Sequence, residues 1–225
     1  MSDNSRKFSV SLTNNVPDAN ISSGLSLMGG TPSTLDAHNS DAKIFFLETC
    51  RESRKLEDVC FTNYIPARFL LSKGSLEANL CGLCNDPSML GQNLTSIKLS
   101  RNNGARIKKI VDNVLRKCDT KDYYSNFIYE TYVNVGESFD QRGKFRAFMI
   151  YLDRKPNSEE DEEHWLVVFL FDPFHLVCPV GRGNESVEAA MRKEYHHDEN
   201  YRENFGDVFE EELKSVDFKG ISILS

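Results

Sequence analysis

The chain has 225 residues, with 27 Lys and Arg against 34 Asp and Glu, which gives a formal net charge of −7. Apolar residues make up 40% of it, and no apolar run approaches the roughly 20 residues that a membrane-spanning helix needs. These figures exclude a membrane-spanning chain and a fully disordered one, and the acidity weighs against a protein that coats itself in nucleic acid. No motif is specific enough to name a reaction.

The first 42 residues differ in composition from the rest. Ser, Thr, Asn, Gly and Pro dominate residues 1–42, and scattered apolar side chains cannot offset the cost of ordering the backbone. We predict a flexible polar tail over 1–42, with an arm that orders on a partner as the alternative, followed by a single domain over 43–225. No apolar stretch follows the basic pair Arg6 and Lys7, so we expect no secretory signal and a cytoplasmic, intracellular protein with free thiols.

Short apolar runs bounded by polar residues predict the strands of a small sheet. The predicted strands are residues 43–50, 66–72, 145–152, 165–171 and 175–180. The run at 165–171 is apolar without alternation, which is typical of a central strand covered on both faces. Because a short polar loop joins 145–152 to 165–171, we expect these two strands to pair antiparallel.

Helical periodicity is clearest over residues 104–118. Apolar residues there recur at steps of three and one, which places them in one stripe along a helix. Crowded aromatics over 121–133 predict a second helix, and residues 185–216 predict a helical region that breaks near Gly206. The resulting fold class is α+β, a small and mainly antiparallel sheet with helices packed on it and a flexible N-terminal tail before it.

Charge is distributed unevenly along the chain. Between Lys98 and Lys117 there are seven basic residues and one acid, a local net of +6, whereas 158–217 holds seventeen acids and five basic residues, a local net of −12. Six cations are candidate contacts for nucleic acid or another partner: Lys98, Arg101, Arg106, Lys109, Arg116 and Lys117. The tyrosine-rich stretch 123–132 could stack on bases.

Four residues are weak catalytic candidates: Cys81, Cys84, His164 and His175. The isolated Cys81-Gly-Leu-Cys84 lacks a second ligand pair, so we interpret its thiols as ordinary ones and predict neither a metal nor a cofactor. His164 and Asp172 stand at the ends of one predicted strand, roughly 26 Å apart, and cannot share a hydrogen bond.

Three functions remain open. The leading hypothesis is a non-catalytic intracellular protein that binds a macromolecular partner through charged surfaces, namely the basic helix 98–117 and the acidic region 158–217. We expect a protein partner and no membrane, with nucleic acid as the alternative partner. The second hypothesis is a small metal-independent nuclease or other nucleic-acid-processing enzyme, in which the basic helix holds phosphate and His175 or His164 moves a proton. The third is a thiol hydrolase.

Overall fold

One mixed sheet dominates the part of the chain that the computed structural model describes. The described residues are 25–26, 41–67, 80, 94–99, 103–115, 128–133, 144–154, 163–181, 183–208 and 218–219. Their strands are β1 (Leu25–Ser26), β2 (Asp41–Leu47), β3 (Lys55–Leu56), β4 (Phe61–Thr62), β5 (Thr95–Ser96), β6 (Ile128–Tyr132), β7 (Arg146–Arg154), β8 (Glu163–Asp172) and β9 (Phe218–Lys219). Their α-helices are α1 (Gly104–Val114), α2 (Val187–Asp198) and the single turn α3 (Phe205–Val208), and two short 3₁₀ helices span Glu48–Arg51 and Glu57–Val59. The predicted α+β class is confirmed.

The sheet is mainly antiparallel, as predicted. Its strand order is β5–β6–β7–β8–β2–β9, and β1 pairs with the end of β7. The pairs β5–β6, β6–β7 and β7–β8 are antiparallel, whereas β2 runs parallel to both β8 and β9. The pairing of β3 with β4 forms a separate two-stranded ribbon. The predicted antiparallel pair of 145–152 with 165–171 is therefore found in β7 and β8.

Strand β8 lies at the centre of the hydrophobic core. Every side chain from Trp165 to Phe171 is buried, as expected for a strand that is covered on both faces. The ring of Phe171 stacks on Phe205, with centroids 5.2 Å apart, and Trp165 stacks on Phe45 at 4.5 Å. Aromatic packing on both faces thus fixes the position of the strand from which the candidate site begins.

Side chains replace the missing neighbour where β8 extends beyond the end of β2. The Thr49 hydroxyl donates to the Phe169 carbonyl at 2.8 Å, and the Asn63 side-chain amide donates to the Phe171 carbonyl at 3.2 Å. Both Thr49 and Asn63 are buried. These bonds satisfy backbone oxygens that would otherwise be buried without a partner, which is costly.

The predicted helix over 121–133 is wrong where the structure describes it. Residues Ile128–Tyr132 form β6, and 121–127 lie outside the described residues. Aromatic and β-branched side chains favour a strand, and an alternation of period two is compatible with one covered face. The buried side chains Tyr129 and Thr131 alternate with the partly exposed Glu130 and Tyr132, so the strand period prevails.

The predicted strand over 175–180 is also wrong. These residues follow β8 as an irregular turn without strand pairing. Their backbone groups bond instead to the side chains of Asp172 and Arg106. A strand needs a neighbour for its backbone, and here a carboxylate and a guanidinium occupy those groups.

The remaining predicted elements agree only in part. The helix predicted over 104–118 is present as α1, whose described portion ends with Leu115 as its cap. The predicted helical region 185–216 contains α2 and α3, with its break at 199–204, before Gly206, and residues 209–216 lie outside the described residues. Of the predicted strand 66–72, only residues 66 and 67 are described, and neither is in a strand. The predicted tail 1–42 lies outside the described residues except for 25–26 and 41–42, which are in strands.

None of the described helices is both long enough and apolar enough to cross a bilayer.

Candidate functional site

The turn that follows β8 is organised around the carboxylate of Asp172. Its Oδ1 accepts hydrogen bonds from the backbone N–H groups of Phe174 and Leu176, at 3.2 and 3.0 Å, and its Oδ2 accepts one from Val177 at 2.6 Å. Asp172 is fully buried. Burial raises the pKa of this carboxyl, while the three N–H donors and the positive charge of Arg106 act in the opposite direction. The carboxylate thus fixes the course of the chain from 173 to 177.

The guanidinium of Arg106 holds the same turn from the other side. It lies on α1 and donates four hydrogen bonds of 2.6 to 3.2 Å to the carbonyl oxygens of Val59, Cys60, Leu176 and Val177. Burial lowers the pKa of Arg106, and the charge of Asp172 opposes that shift. Arg106, predicted from the sequence as a phosphate contact, therefore binds backbone oxygens within the fold.

His175 is positioned by this turn, which is held by the side chains of both Asp172 and Arg106. Its backbone has φ of 57°, in the left-handed region that residues other than glycine seldom adopt. Such a conformation persists when surrounding bonds impose it, which Asp172 and Arg106 do here. The imidazole Nε2 lies 3.9 Å from Oε2 of Glu130 on β6. The turn thus brings an imidazole against a carboxyl group of the neighbouring sheet.

Glu130 is a carboxyl group with altered acidity. Its pKa is raised to about 7, mainly by burial and in a smaller part by the charge of Asp172, while Arg146 acts in the opposite direction. The side chains of Glu130 and His175 are 14% and 13% exposed, so both are mostly shielded from solvent but not sealed from it. Among the described residues, Oε2 of Glu130 has no hydrogen-bond partner. At neutral pH this carboxyl is near the midpoint of its titration and can accept or release a proton.

A guanidinium and a phenol complete the cluster. The sheet register places Tyr132 of β6 opposite Arg146 of β7, and Arg146 opposite Asp172 of β8. The Cζ atom of Arg146 lies 5.1 Å from the ring centroid of Tyr132, which is cation–π distance. Because residues two apart on a strand share a face, Tyr132 lies on the same face of the sheet as Glu130. The carboxyl of Glu130, the imidazole of His175, the guanidinium of Arg146 and the ring of Tyr132 therefore lie together at one end of the sheet.

Cys178 follows on the same turn, but its thiol is not activated. Burial raises its pKa well above the usual range, and the charges of Glu130 and Asp172 raise it further. Since only the thiolate is an effective nucleophile, Cys178 is unsuited to covalent catalysis at neutral pH.

Other candidates predicted from the sequence lie elsewhere. His164 and Asp172 belong to the same strand, β8, so the two cannot form one hydrogen-bonded unit. On α1, Lys109 forms an ion pair with Asp58. Lys98, on the loop before α1, is exposed. Five predicted site residues lie outside the described residues: Cys81, Cys84, Arg101, Arg116 and Lys117.

Sequence reasoning named His175 but missed Glu130 and Arg146. The sequence contained a signal for Arg146, because it is the one charged residue in the otherwise apolar run 145–152. Glu130 stands in the same way among aromatic and apolar residues of β6. A charged residue inside a largely buried strand carries a desolvation cost that a site can justify. Their proximity depends on strand register, which the sequence does not state.

Neither a metal-binding cluster in the described residues nor a related protein adds to this description of the site. Within the residues that have defined side chains, no three or more His, Cys, Asp or Glu converge in a way that would hold a metal ion. Comparisons with protein-family models, with curated proteins and with solved structures found no match.

Proposed function

We propose that the cluster of Glu130, His175 and Arg146 is an acid–base site for phosphodiester cleavage, and that the protein is a metal-independent nuclease. The observation that supports this most is the Glu130–His175 contact at 3.9 Å, which joins two proton-transferring groups beside a cation. Phosphodiester cleavage needs a base for the nucleophile, an acid for the leaving oxygen and positive charge near the phosphate. Protein side chains supply all three here, so the proposed reaction requires no metal.

The roles follow from the positions of the groups. Glu130, with a pKa of about 7, is partly ionised at neutral pH and accepts the proton of the attacking hydroxyl. His175, whose imidazole lies 3.9 Å from Glu130, donates a proton to the leaving oxygen. Arg146, whose positive charge opposes the rise in the Glu130 pKa, stabilises the negative charge that develops on the phosphoryl oxygens.

Cleavage of a fluorescence-quenched RNA or DNA oligonucleotide tests the proposal. Removing a positioned acid or base typically costs about 10²- to 10⁴-fold in rate, so Glu130→Gln and His175→Ala should each lower kcat at least about a hundredfold. Glu188→Gln is the matched control, because Glu188 is an exposed carboxylate on α2. Full activity should persist with a chelator.

Two results would contradict the proposal. One is an activity of the wild-type protein that Glu130→Gln and His175→Ala leave unchanged. The other is an activity that the chelator removes. Absence of cleavage on every oligonucleotide tested, with circular dichroism showing folded protein, would favour the binding function described next.

A second candidate function is the non-catalytic interaction protein that the sequence favoured. The observation for it is that two apolar side chains are exposed, Val180 (60%) before α2 and Val187 (38%) at its start. A Cβ atom added at Gly181, the residue after Val180, would lie 3.6 Å from a side-chain methyl of Val187, so the chain at 181 passes close to Val187. The acidic residues Glu185 and Glu188 stand beside them, which suits a partner protein with a basic surface around an apolar centre.

The described part of the basic helix gives this function less support. Lys108 and Lys109 form ion pairs with Asp112 and Asp58 in the same chain. Arg106 is committed to four backbone carbonyls. The acid–base cluster therefore has the stronger geometric support, and we rank the nuclease first.

A further inference from the structure

Tyr132 occupies an unusual position for an aromatic side chain. It is 47% exposed, whereas its neighbours Tyr129 and Val133 are fully buried. It lies two residues beyond Glu130 on the same strand face, a spacing of roughly 7 Å along the backbone. The guanidinium of Arg146 lies against its ring. Exposed aromatic rings beside positive charge are typical of surfaces that bind single-stranded nucleic acid.

We infer that Tyr132 is a stacking platform for a nucleobase and that the substrate of the site is single-stranded RNA. This inference rests on the proposed nuclease function. Base-on-ring stacking is tolerant of sequence, because every base has a π face. A base stacked on Tyr132 would lie beside Arg146, which lies over the ring, and near Glu130 on the same strand face.

The preference for a single strand follows from the nature of stacking. In a duplex the faces of the bases are covered by neighbouring base pairs, and freeing one costs a few kcal/mol of unstacking. A single strand presents these faces at far lower cost. Tyr132 is at the end of β6, and 47% of its surface is exposed to solvent.

The preference for RNA follows from the supply of nucleophile. Burial raises the pKa of Cys178, the cysteine on the turn that carries His175, so we expect no thiolate nucleophile beside the cluster. In RNA the 2′-hydroxyl is a nucleophile attached to the substrate, adjacent to the phosphorus atom that it attacks. The protein then needs only to move protons and to stabilise charge, which Glu130, His175 and Arg146 do.

The step balances without an external reactant. The proton of the 2′-hydroxyl passes to the Glu130 carboxylate as the bond from the 2′-oxygen to phosphorus forms. The bond from phosphorus to the 5′-oxygen breaks, and that oxygen takes a proton from His175. The products are a 2′,3′-cyclic phosphate and a free 5′-hydroxyl, with no change in oxidation state.

Binding to a fluorescein-labelled 2′-O-methyl RNA 10-mer tests the inference, because methylation removes the nucleophile and leaves the bases intact. Fluorescence anisotropy at low salt should show binding to the single strand. Tyr132→Phe, which keeps the ring, should change Kd by less than about twofold. Tyr132→Ala and Tyr132→Leu should raise Kd by about 5- to 100-fold, as expected when one stacked base loses its aromatic partner. Tyr132→Leu keeps apolar bulk and therefore isolates the aromatic contribution.

Three outcomes would overturn the inference: Tyr132→Ala binding as the wild type does, an RNA duplex of the same sequence binding as tightly as the single strand, or DNA oligonucleotides being cleaved as fast as RNA. These failures differ from failure of the proposed function. If Tyr132→Ala weakens binding but no RNA is cleaved, the base-binding surface stands and the nuclease does not. If RNA is cleaved in a Glu130-dependent way and Tyr132→Ala changes neither binding nor rate, the nuclease stands and the stacking role does not.

Discussion

Asp172 is the residue on which the shape of the candidate site depends most directly. Its two carboxylate oxygens accept three backbone N–H bonds in a fully buried place. Asn at this position keeps one accepting oxygen and turns an amide N–H₂ toward a backbone donor. We expect Asp172→Asn to lower the free energy of unfolding by about 1.5–3 kcal/mol, measured by urea denaturation, because buried donors lose a charged acceptor.

The control for Asp172→Asn is Glu203→Gln. Glu203 is exposed, and its bonds to Ile65 involve only its backbone. Its substitution should change the free energy of unfolding by less than about 0.5 kcal/mol. Equal effects of the two substitutions would mean that the turn does not depend on the Asp172 carboxylate.

The candidate site could be predicted only in part at the scale of residues. His175 was selected because imidazole is the side chain best suited to proton transfer near neutral pH. Glu130 and Arg146 are 16 positions apart in the chain, and they come close only because β6 and β7 pair in one register. Arg106 was interpreted as a phosphate contact, since the sequence cannot show that backbone oxygens are in reach of its guanidinium.

The start of α1 depends on a close approach between two backbone segments. A Cβ atom added at Gly104 would lie 1.5 Å from the carbonyl oxygen of Leu99, which no side-chain rearrangement can relieve. We expect Gly104→Ala to displace the beginning of α1 and to lower the free energy of unfolding by about 3 kcal/mol or more, near the upper end for overpacking. Urea denaturation with circular dichroism measures this loss.

Gly183 provides the matched control for Gly104→Ala. The surroundings of Gly183 are open, with no atom within 4 Å of an added Cβ, in contrast to those of Gly104. Its φ of 57° is tolerated by Asn better than by other residues with a side chain. Gly183→Asn should cost less than about 1 kcal/mol. If Gly104→Ala were as mild, α1 would not be held against Leu99 as described.

At the scale of elements, the sequence predicted those whose burial follows one simple pattern. The stripe of α1 and the uniform apolar run of β8 are both read from local spacing. The segment containing β6 was misassigned because crowded aromatics do not by themselves distinguish a period of 3.6 from one of 2. The turn after β8 was misassigned because its apolar residues are buried as in a strand. Its backbone, however, is held by hydrogen bonds to side chains and not by strand pairing.

At the scale of the whole molecule, some basic and acidic side chains that are distant in the sequence form ion pairs in the fold. Lys144, before β7, pairs with Glu194 on α2, and Lys109 on α1 pairs with Asp58. The formal net charge of −7 counts every carboxyl as ionised, whereas the fold opposes the ionisation of some of them. Two such carboxyls are Glu130 and Asp198, each with a pKa raised to about 7 mainly by burial.

These two carboxyls predict that stability falls as pH rises. An unfolded carboxyl has a pKa near 4, so between about pH 4 and pH 7 the folded protein binds more protons than the unfolded chain. The stabilisation is complete below about pH 4 and is lost as pH rises through about 7. Each group contributes a slope of up to about 1.4 kcal/mol per pH unit within this window.

Urea denaturation at pH 5, 6, 7 and 8 should show a decreasing free energy of unfolding. In the double variant Glu130→Gln with Asp198→Asn, the decrease above about pH 6 should be much smaller, because neither amide titrates, whereas Asp172, with a pKa raised to about 6, still contributes at lower pH. A double variant with the same slope as the wild type would show that neither carboxyl is protonated preferentially in the folded state.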